Sequence, residues 1–387
     1  MANIVFLMLP EQGHLVSSFK IAKALKLRGH RVYYLQIPEF DEYINSQGLE
    51  CIPLLENVFP KGYEFDRSLS TFENLLSRLE SEAILLGMTE LTLLTKGVKD
   101  KLEQVDAHLL ILDINTEVNP GIIELEIPCV VLNSTIILRP VYTIPEAPIL
   151  VLCPEEFDLP HDKRTTQYYV EASIDFQRKE IKFPWDQIPT DKRLIYCSLG
   201  TQSQWSHSGV CHELSQRTRK NFLQIVVNAM HDKPDWQLIL STGNHLCAED
   251  FCSTPSNVVM VKSAPQIEVL RRASLMITHG GLNTVKECIF FGVPMIAFPL
   301  GMDQFKNADC VVYHNLGLKG DIENVSESVI HSLIDEIDCN PVFRLKIDTM
   351  KELFRKIETE ERAITFIESA LQLGPVTYRP TFEAFTE

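Results

Sequence analysis

ITHGGLNTVKECIFFGVPMIAFPLGMDQFKNA, residues 277–308, is the stretch that decides the fold of this chain. It predicts an apolar strand ending at Thr278, a turn through Gly280 and Gly281, a short helix, a second apolar strand and a polar loop. This order is typical of a parallel sheet covered by helices. Polar side chains gather where the strands end, and ligands bind at that edge of such a sheet.

The turn before the helix predicts an anion site, best suited to a pyrophosphate. Its two glycines let the backbone approach a ligand closely, and the following helix presents unpaired N–H groups and a positive dipole end. The i, i+4, i+8 spacing puts His279, Asn283 and Glu287 on one face, with the Glu287 carboxylate available for ribose hydroxyls. The glycines alone leave an ordinary strand–helix–strand unit as the alternative.

Composition restricts the class of protein and of partner. The 387 residues suggest two domains, at roughly 100–200 residues per domain. A formal net charge of −16 argues against nucleic acid and anionic membrane surfaces as partners. We expect no signal peptide and no transmembrane segment, because no apolar run approaches the ~20 residues of a membrane span. The ten cysteines contain no Cys-x-x-Cys pair, so we expect a reduced, cytoplasmic protein.

Two series of alternating strands and helices divide the chain. Strands are predicted at 4–9, 31–36, 49–54, 108–113 and 129–133, and again at 194–198, 236–241, 258–262 and 275–278. Residues 56–105 are predicted as a loop followed by one or two helices, and residues 134–178 as an irregular stretch around the first cleft. We therefore predict an α/β protein with two Rossmann-like, doubly wound domains facing a cleft, at 1–180 and 194–374, a linker at 181–193 and a tail at 375–387.

The first predicted domain carries a candidate general base. His14 lies in the loop PEQGH after the first strand, and Asp113 ends the strand LLILD, so both fall at the carboxyl edge of one sheet. A histidine acts as a base when a carboxylate fixes its tautomer and stabilises the imidazolium. We predict that His14 and Asp113 form this pair. A solvated loop histidine and an aspartate that caps the next helix are the alternatives.

Polar groups of the second domain are predicted to complete a donor site. The turn SLGT after the strand at 194–198 offers hydroxyl and N–H groups to phosphate. Gln266 is a candidate for recognising the nucleobase. The alternative is that it simply begins a helix that follows Pro265. The end of the loop at 299–304 offers a carboxylate and an amide that suit sugar hydroxyls. The predicted donor-binding residues are Ser198, Gly200, Thr201, Gln266, His279, Gly281, Asn283, Thr284, Glu287, Asp303 and Gln304.

The order of these motifs resembles the nucleotide-sugar-dependent glycosyltransferases of the GT-B fold. This UDP-glycosyltransferase group includes bacterial macrolide and carotenoid glycosyltransferases. The resemblance runs from residue 3 to about 318 and is most specific over 265–308. It implies two Rossmann-like domains, with the acceptor bound by the N-terminal one and the donor nucleotide by the C-terminal one.

The resemblance also implies an inverting transfer. His14 looks like the family's catalytic base, which removes the proton of an acceptor hydroxyl as its oxygen attacks the anomeric carbon, and Asp113 looks like its helper. The leaving diphosphate would be met by Ser198, Thr201, His279 and the helix N-terminus, so no metal and no cofactor are expected besides the nucleotide sugar as co-substrate. The resemblance further implies that Gln266 contacts the nucleobase, that Glu287 binds the ribose, and that Asp303 and Gln304 hold the donor sugar.

Two positions depart from the family's pattern. Many relatives carry a tryptophan that stacks on the base three residues before the Gln of the PQ pair, and Ser263 stands there in this chain. Plant members carry tryptophan at the position of Leu282, which favours a microbial or animal-type relative. The acceptor region is also shorter than in many members.

These patterns predict a metal-independent, inverting hexosyltransferase that acts on a small hydrophobic acceptor. A UDP-hexose is the favoured donor, and a dTDP-sugar, as in natural-product glycosyltransferases, is the alternative. A non-catalytic GT-B protein that activates a partner enzyme is the rival from another class, and retention of His14 and Asp113 speaks against it. A GT-B nucleotide-sugar epimerase would need no acceptor insertion such as residues 56–105.

Overall fold

Two parallel β-sheets organise the chain. The computed structural model describes residues 1–63, 71–86, 90–115, 127–136, 147–160, 166–179, 181–200, 216–243 and 246–372. Every strand pair in both sheets is parallel within these residues, and the described helices lie between consecutive strands except for three that follow the last strand. The predicted fold class, α/β with two Rossmann-like domains, is confirmed.

The first sheet has seven strands in the described part of the chain, in the order β3-β2-β1-β4-β5-β6-β7. The strands are β1 Asn3–Leu7, β2 Arg31–Gln36, β3 Glu50–Pro53, β4 Leu109–Asp113, β5 Cys129–Asn133, β6 Ile149–Val151 and β7 Gln167–Tyr169. The helices of this half are α1 Gln12–Leu27, α2 Asp41–Ser46, α3 Thr71–Leu85 and α4 Glu90–Gln104. Helices α3 and α4 occupy the long insertion that precedes β4, as the leucine-rich pattern predicts.

One expectation for this half is wrong. Residues 134–178 are not irregular throughout, because β6 and β7 lie within them and extend the sheet. Each of these strands is three residues long, and prolines flank them in the sequence. A run this short shows no strand periodicity, so pairing with β5 decides the structure rather than any local pattern.

The second sheet has six described strands in the order β10-β9-β8-β11-β12-β13. The strands are β8 Arg193–Ser198, β9 Trp236–Ser241, β10 Val258–Val261, β11 Leu275–Thr278, β12 Met295–Ala297 and β13 Gly317–Lys319. The helices are α5 Gln216–Ala229, α6 Gln266–Leu270, α7 Leu282–Phe291, α8 Gln304–Tyr313, α9 Glu327–Cys339 and α10 Pro341–Glu358.

Both sheets change winding direction next to their first strand. In the first sheet the chain moves outward from β1 to β3 and then crosses to β4, on the other side of β1; β8 and β11 have the same relation in the second. The loops that follow the two strands at such a point leave in opposite directions and open a crevice at the carboxyl edge. Each sheet therefore offers one binding crevice, between β1 and β4 and between β8 and β11.

The last described helix, α11 Arg362–Ala370, returns to the first half of the molecule. Its buried side chains pack into the same apolar cluster as β1 and α1. Glu171, which follows β7, accepts a hydrogen bond from the backbone N–H of Ala363 at 3.1 Å, and Arg28 pairs with Glu361 and Glu368. By packing, α11 thus belongs to the first core although it follows the second in sequence. Among the described helices, none has the length and apolarity needed to cross a bilayer.

We expect Ile367→Ala in α11 to lower the free energy of unfolding by about 2–5 kcal/mol, because it removes a fully buried side chain from the first core. Urea-induced unfolding measures this loss. The matched control is Leu345→Ala in α10, where the side chain is 66% exposed; we expect a change below about 0.5 kcal/mol. Equal losses in the two variants would contradict the packing of α11 into this core.

Candidate active site

His14 and Asp113 meet at the crevice of the first sheet. His14 lies in the first turn of α1, and Asp113 is the last residue of β4, which pairs with β1. Nδ1 of His14 is 2.8 Å from Oδ2 of Asp113, as predicted from the strand ends. The other carboxylate oxygen accepts the N–H of Asn115 at 2.8 Å and so fixes the Asp113 side chain. Because an ionised carboxylate only accepts, Nδ1 carries a proton and Nε2 remains for a reacting group.

Two further side chains contact this imidazole, and the sequence analysis did not identify them. The hydroxyl of Ser134, which follows β5, lies 3.2 Å from Nδ1. Oε2 of Glu11 lies 3.9 Å from Nε2. Ser134 could have been identified from its place at the end of the strand next to Asp113. Glu11 could have been identified from its spacing of three residues from His14.

Carboxylates on both sides of the ring set the charge of His14. Burial disfavours the imidazolium, but the charge and hydrogen bond of Asp113, together with the charges of Glu11 and Asp303, outweigh it and raise the pKa of His14 to about 9. Burial in turn raises the pKa of Glu11. Asp303 belongs to the second half of the chain, so His14 lies within electrostatic range of that half. At pH 7 the ring is mostly protonated.

The strands that carry the predicted phosphate turns are neighbours in the second sheet. Ser198 at the end of β8 pairs in register with Thr278 at the end of β11. The Ser198 hydroxyl accepts the backbone N–H of Gly200 at 3.3 Å. Thr201, the next predicted phosphate ligand, lies outside the described residues. The two turns therefore share one edge of the sheet, as a diphosphate site requires.

The imidazole of His279 fills the space between these two turns. A Cβ at Gly200 would lie 2.5 Å from Cε1 of the ring, and a Cβ at Gly281 would lie 2.5 Å from Nε2. Both positions must therefore be glycine for the ring to stay in place. Burial lowers the pKa of His279 to about 4, so the ring is neutral at pH 7. It offers an anion one N–H donor and no positive charge.

Helix α7 begins later than the sequence spacing assumes. Gly280 has φ = +84° and Gly281 is the N-cap, so the helix starts at Leu282. His279 therefore lies in the turn and not on the helical face, which corrects the predicted face of three residues. Asn283 and Glu287 remain one turn apart on α7. The N–H groups of its first turn point toward the predicted phosphate position.

Asn283 connects the two halves of the site. Its side-chain Nδ2 donates to the main-chain oxygen of Gly13 at 2.8 Å, and Gly13 directly precedes His14. Asn283 is predicted to bind the donor. Its contact across the cleft also joins helix α7 to the loop that carries His14.

Both carboxylate oxygens of Glu287 accept hydrogen bonds in this structure. Its Oε1 accepts Nη1 of Arg178 at 2.5 Å, and its Oε2 accepts Nε2 of Gln266 at 2.7 Å and Nη2 of Arg178 at 3.3 Å. Gln266 also lies 3.3 Å from the hydroxyl of Thr284. The residues predicted to bind the nucleobase, the ribose and a phosphate thus form one cluster. Arg178 was missed, because it precedes the predicted linker and belongs to no motif.

The loop with Asp303 and Gln304 is tied to the anion turn. Oε1 of Gln304 accepts the N–H of Leu300 at 2.8 Å and closes the loop. Nδ2 of Asn307 donates to Oδ2 of Asp303 and to the carbonyl oxygen of Gly280, both at 2.9 Å. These contacts hold the Asp303 carboxylate near the turn. Within the described ranges, no group of three or more His, Cys, Asp and Glu side chains is placed to hold a metal ion.

The first crevice carries the predicted base, and the second carries the predicted anion turn with the cluster of Gln266, Thr284 and Glu287 at its side. Two Rossmann-like sheets with such groups at facing edges are the arrangement expected of the GT-B class.

Comparison with known proteins supports the resemblance. Residues 226–372 match the family model described as UDP-glucoronosyl and UDP-glucosyl transferase. The chain is similar to the uncharacterized UDP-glucosyltransferase YojK of Bacillus subtilis (strain 168), with 25% identity over 410 residues that cover 96% of this chain and 98% of YojK. These matches confirm the resemblance to the UDP-glycosyltransferase family and support a nucleotide-sugar-dependent glycosyltransferase with the GT-B fold.

Two solved structures share the fold. The glycotransferase of kitacinnamycin has a TM-score of 0.72 and 21% identity, covering 95% of this chain and 98% of that chain. The glycosyltransferase VinC in complex with dTDP has a TM-score of 0.71 and 16% identity, covering 96% of this chain and 99% of that chain. Both alignments extend across the two sheets.

We expect kcat/KM for an alcohol acceptor to rise from neutral pH until about pH 9, because His14 must lose its proton before it accepts another. Glu11→Gln removes a carboxylate that favours the imidazolium, so its profile should shift to lower pH. Initial rates across this pH range measure both profiles, and Glu42→Gln, at an 81% exposed side chain, is the control. Superimposed profiles for wild type and Glu11→Gln would contradict the role given to this charge.

The same pKa has a consequence for stability. Because the folded-state pKa of His14 lies above its ordinary value of 6.5, its protonation stabilises the fold fully below that value. This contribution is lost as the pH rises through about 9. Activity and the His14 contribution to stability therefore change in opposite directions over this window.

Proposed function

We propose that this chain is an inverting, metal-independent hexosyltransferase that moves a sugar from a UDP-hexose to a hydroxyl of a small hydrophobic acceptor. The observation that carries the proposal is the pair of His14 and Asp113, 2.8 Å apart at the crevice of the first sheet. Asp303, from the second half, lies close enough to raise the pKa of that histidine. A base within reach of the donor-side loop is what direct transfer needs.

In the proposed reaction, Nε2 of His14 takes the proton of the acceptor hydroxyl as its oxygen attacks the anomeric carbon. The new carbon–oxygen bond forms opposite the bond to the diphosphate, which breaks, so the anomeric configuration inverts. Asp113 stabilises the imidazolium that results. The N–H groups at the start of α7 and the neutral ring of His279 take the charge of the leaving diphosphate. These dipoles support a transfer that uses no metal.

Glu287 supports a ribonucleotide donor. Its carboxylate is buried within the nucleoside cluster, and acceptor-only oxygens suit the two hydroxyls of a ribose. A dTDP-sugar, the second candidate, offers only the 3′-hydroxyl. It is kept because the VinC structure contains dTDP, whereas the name of YojK refers to a UDP-sugar.

An apolar cluster supports a hydrophobic acceptor. Ile37 follows β2 at the carboxyl edge that also carries His14, and it packs with Val58 and Phe59 of the insertion. Half-buried side chains of α3 and α4 extend this cluster. The insertion thus provides apolar surface at the edge of the sheet where the acceptor should bind. The kitacinnamycin enzyme is named for a natural product, and an acceptor of that general type would fit this surface.

We expect His14→Ala to lower turnover by about 10²–10⁴-fold, the contribution of a general base. The affinity for UDP should stay within about twofold, because His14 belongs to the other crevice. Transfer assays and calorimetric titration with UDP measure the two quantities, and the exposed His231→Ala serves as control. Wild-type turnover in His14→Ala would contradict the assigned base, and a wild-type protein without transfer or donor hydrolysis would favour the non-catalytic rival.

We expect UDP to raise the melting temperature more than dTDP at equal concentration, because the Glu287 carboxylate can accept from both hydroxyls of a ribose but from only one of a deoxyribose. At 100 times the dissociation constant, a ligand adds about 2.7 kcal/mol of stability, which a thermal-shift assay detects. A larger shift with dTDP would favour the second candidate. Stabilisation by GDP alone would overturn both donor assignments.

A further inference from the structure

The opening of the first crevice exposes parts of His14 and Glu11 but not of Asp113. The side chain of His14 is 11% exposed and that of Glu11 is 16% exposed, whereas that of Asp113 is fully buried. Asp113 holds Nδ1 of the ring, and Oε2 of Glu11 lies 3.9 Å from the other nitrogen, Nε2. A substrate that reaches Nε2 from the opening therefore also comes close to the Glu11 carboxylate.

One turn of main chain joins Glu11 to His14. Glu11 is the N-cap of α1, and its carbonyl oxygen accepts the N–H groups of His14 and Leu15, both at 3.1 Å. The N–H of Glu11 donates to the carbonyl oxygen of Leu9 at 2.7 Å. The Glu11 side chain makes no capping hydrogen bond to the helix. The main chain thus holds the carboxylate beside the base before any acceptor binds, as a preorganised site requires.

The Glu11 carboxylate needs a hydrogen-bond donor at the moment of transfer. Burial raises the pKa of Glu11 in spite of the attraction of His14, so the protein only partly replaces the hydration that this carboxylate has lost. The His14 ring must be neutral to act as a base, and its attraction for Glu11 is then weakest. An acceptor that covered Glu11 without donating to it would leave a buried carboxylate uncompensated, which is costly.

Two neighbouring hydroxyl groups fit this pair of atoms. The oxygens of a catechol or a vicinal diol lie ~2.8 Å apart, close to a hydrogen-bond length. With one oxygen at Nε2 of His14 and the other at Oε2 of Glu11, both contacts reach hydrogen-bond length across the 3.9 Å between the two atoms. We propose that the acceptor carries a second hydroxyl beside the attacking one, and that Glu11 accepts the hydrogen bond of this second hydroxyl.

Glu11 is a positioning residue in this arrangement. The attacking hydroxyl gives its proton to Nε2 of His14, whereas the second hydroxyl keeps its proton and holds the acceptor in place through Glu11. The inference rests on the proposed function, because it assumes that His14 is the base for an acceptor hydroxyl. It adds the chemical class of the acceptor to that function.

Three acceptors separate this contact from the transfer itself. Catechol has the second hydroxyl, 2-methoxyphenol keeps its oxygen but not its hydrogen, and phenol has neither. We expect kcat/KM of the wild-type protein to be about 10- to 100-fold higher for catechol than for the other two, because a site built for a hydroxyl rejects analogues that lack it. Initial rates with UDP-glucose at neutral pH give the three values. Since all three acceptors meet the same protein, the ionisation of His14 cancels in their ratios.

Two substitutions of Glu11 grade the effect. Glu11→Ala removes the hydrogen-bond acceptor and should bring the ratio of catechol to 2-methoxyphenol close to one. Glu11→Gln keeps an acceptor oxygen without the charge and should retain a reduced preference for catechol. Glu42→Gln, at an exposed side chain that pairs with Lys61, is the control and should keep the wild-type ratio. Transfer to phenol by each variant reports that the site is folded.

A wild-type preference for catechol in Glu11→Ala, or equal use of the three acceptors by the wild-type protein, would overturn the inference. A changed KM for UDP-glucose with an unchanged acceptor ratio would place Glu11 at the donor sugar and overturn it as well. Failure of the wild-type protein to transfer sugar to any of the three acceptors would instead contradict the small hydrophobic acceptor of the proposed function.

Discussion

Helix α7 holds the two halves of the molecule together through polar side chains, and the rest of the site depends on this packing. Asn283 and Lys286 donate to main-chain oxygens of the first half, and Glu287 pairs with Arg178. Lys286 is 1% exposed, and burial lowers its pKa, so an unpaired cation there would cost several kcal/mol. Hydrogen bonds weaken steeply with distance and angle. These contacts make α7 one of the elements that set the orientation of the cleft, together with α8, where Lys306 pairs with Asp158 of the first half.

In the proposed reaction the diphosphate lies at the N-terminus of the same helix, which would link donor binding mechanically to the position of His14. Asn283 is in the first turn of α7 and bonds to the residue before His14, while Asn307 ties Asp303 to the anion turn. Transfer requires the acceptor oxygen and the anomeric carbon to approach within about 3–3.5 Å. Rigid contacts between the donor turn and the base loop are a direct means of achieving that approach.

The sequence predicts most of the fold because buried parallel strands are continuous apolar runs; the bounds of β2, β5, β9 and β11 match those expected. It also predicts the meeting of His14 and Asp113, since strand ends of one sheet share an edge. It does not predict Arg178, whose partner is 109 residues away and depends on how the halves dock. Local spacing also misassigns His279 to a helical face, because the positive φ of Gly280 interrupts the helix before that face begins.

In the proposed reaction, the charge of His14 would keep the base inactive until an acceptor binds. Burial is the largest influence on its pKa and acts to lower it, while carboxylates in both halves raise it. An apolar acceptor that covers the ring removes water from it and so increases the influence of burial, which favours the neutral form. A lone water molecule brings no such desolvation and meets an imidazolium, which has no lone pair to accept a proton. In the proposed reaction, the arrangement of charges would thus favour transfer to an apolar acceptor over hydrolysis of the donor.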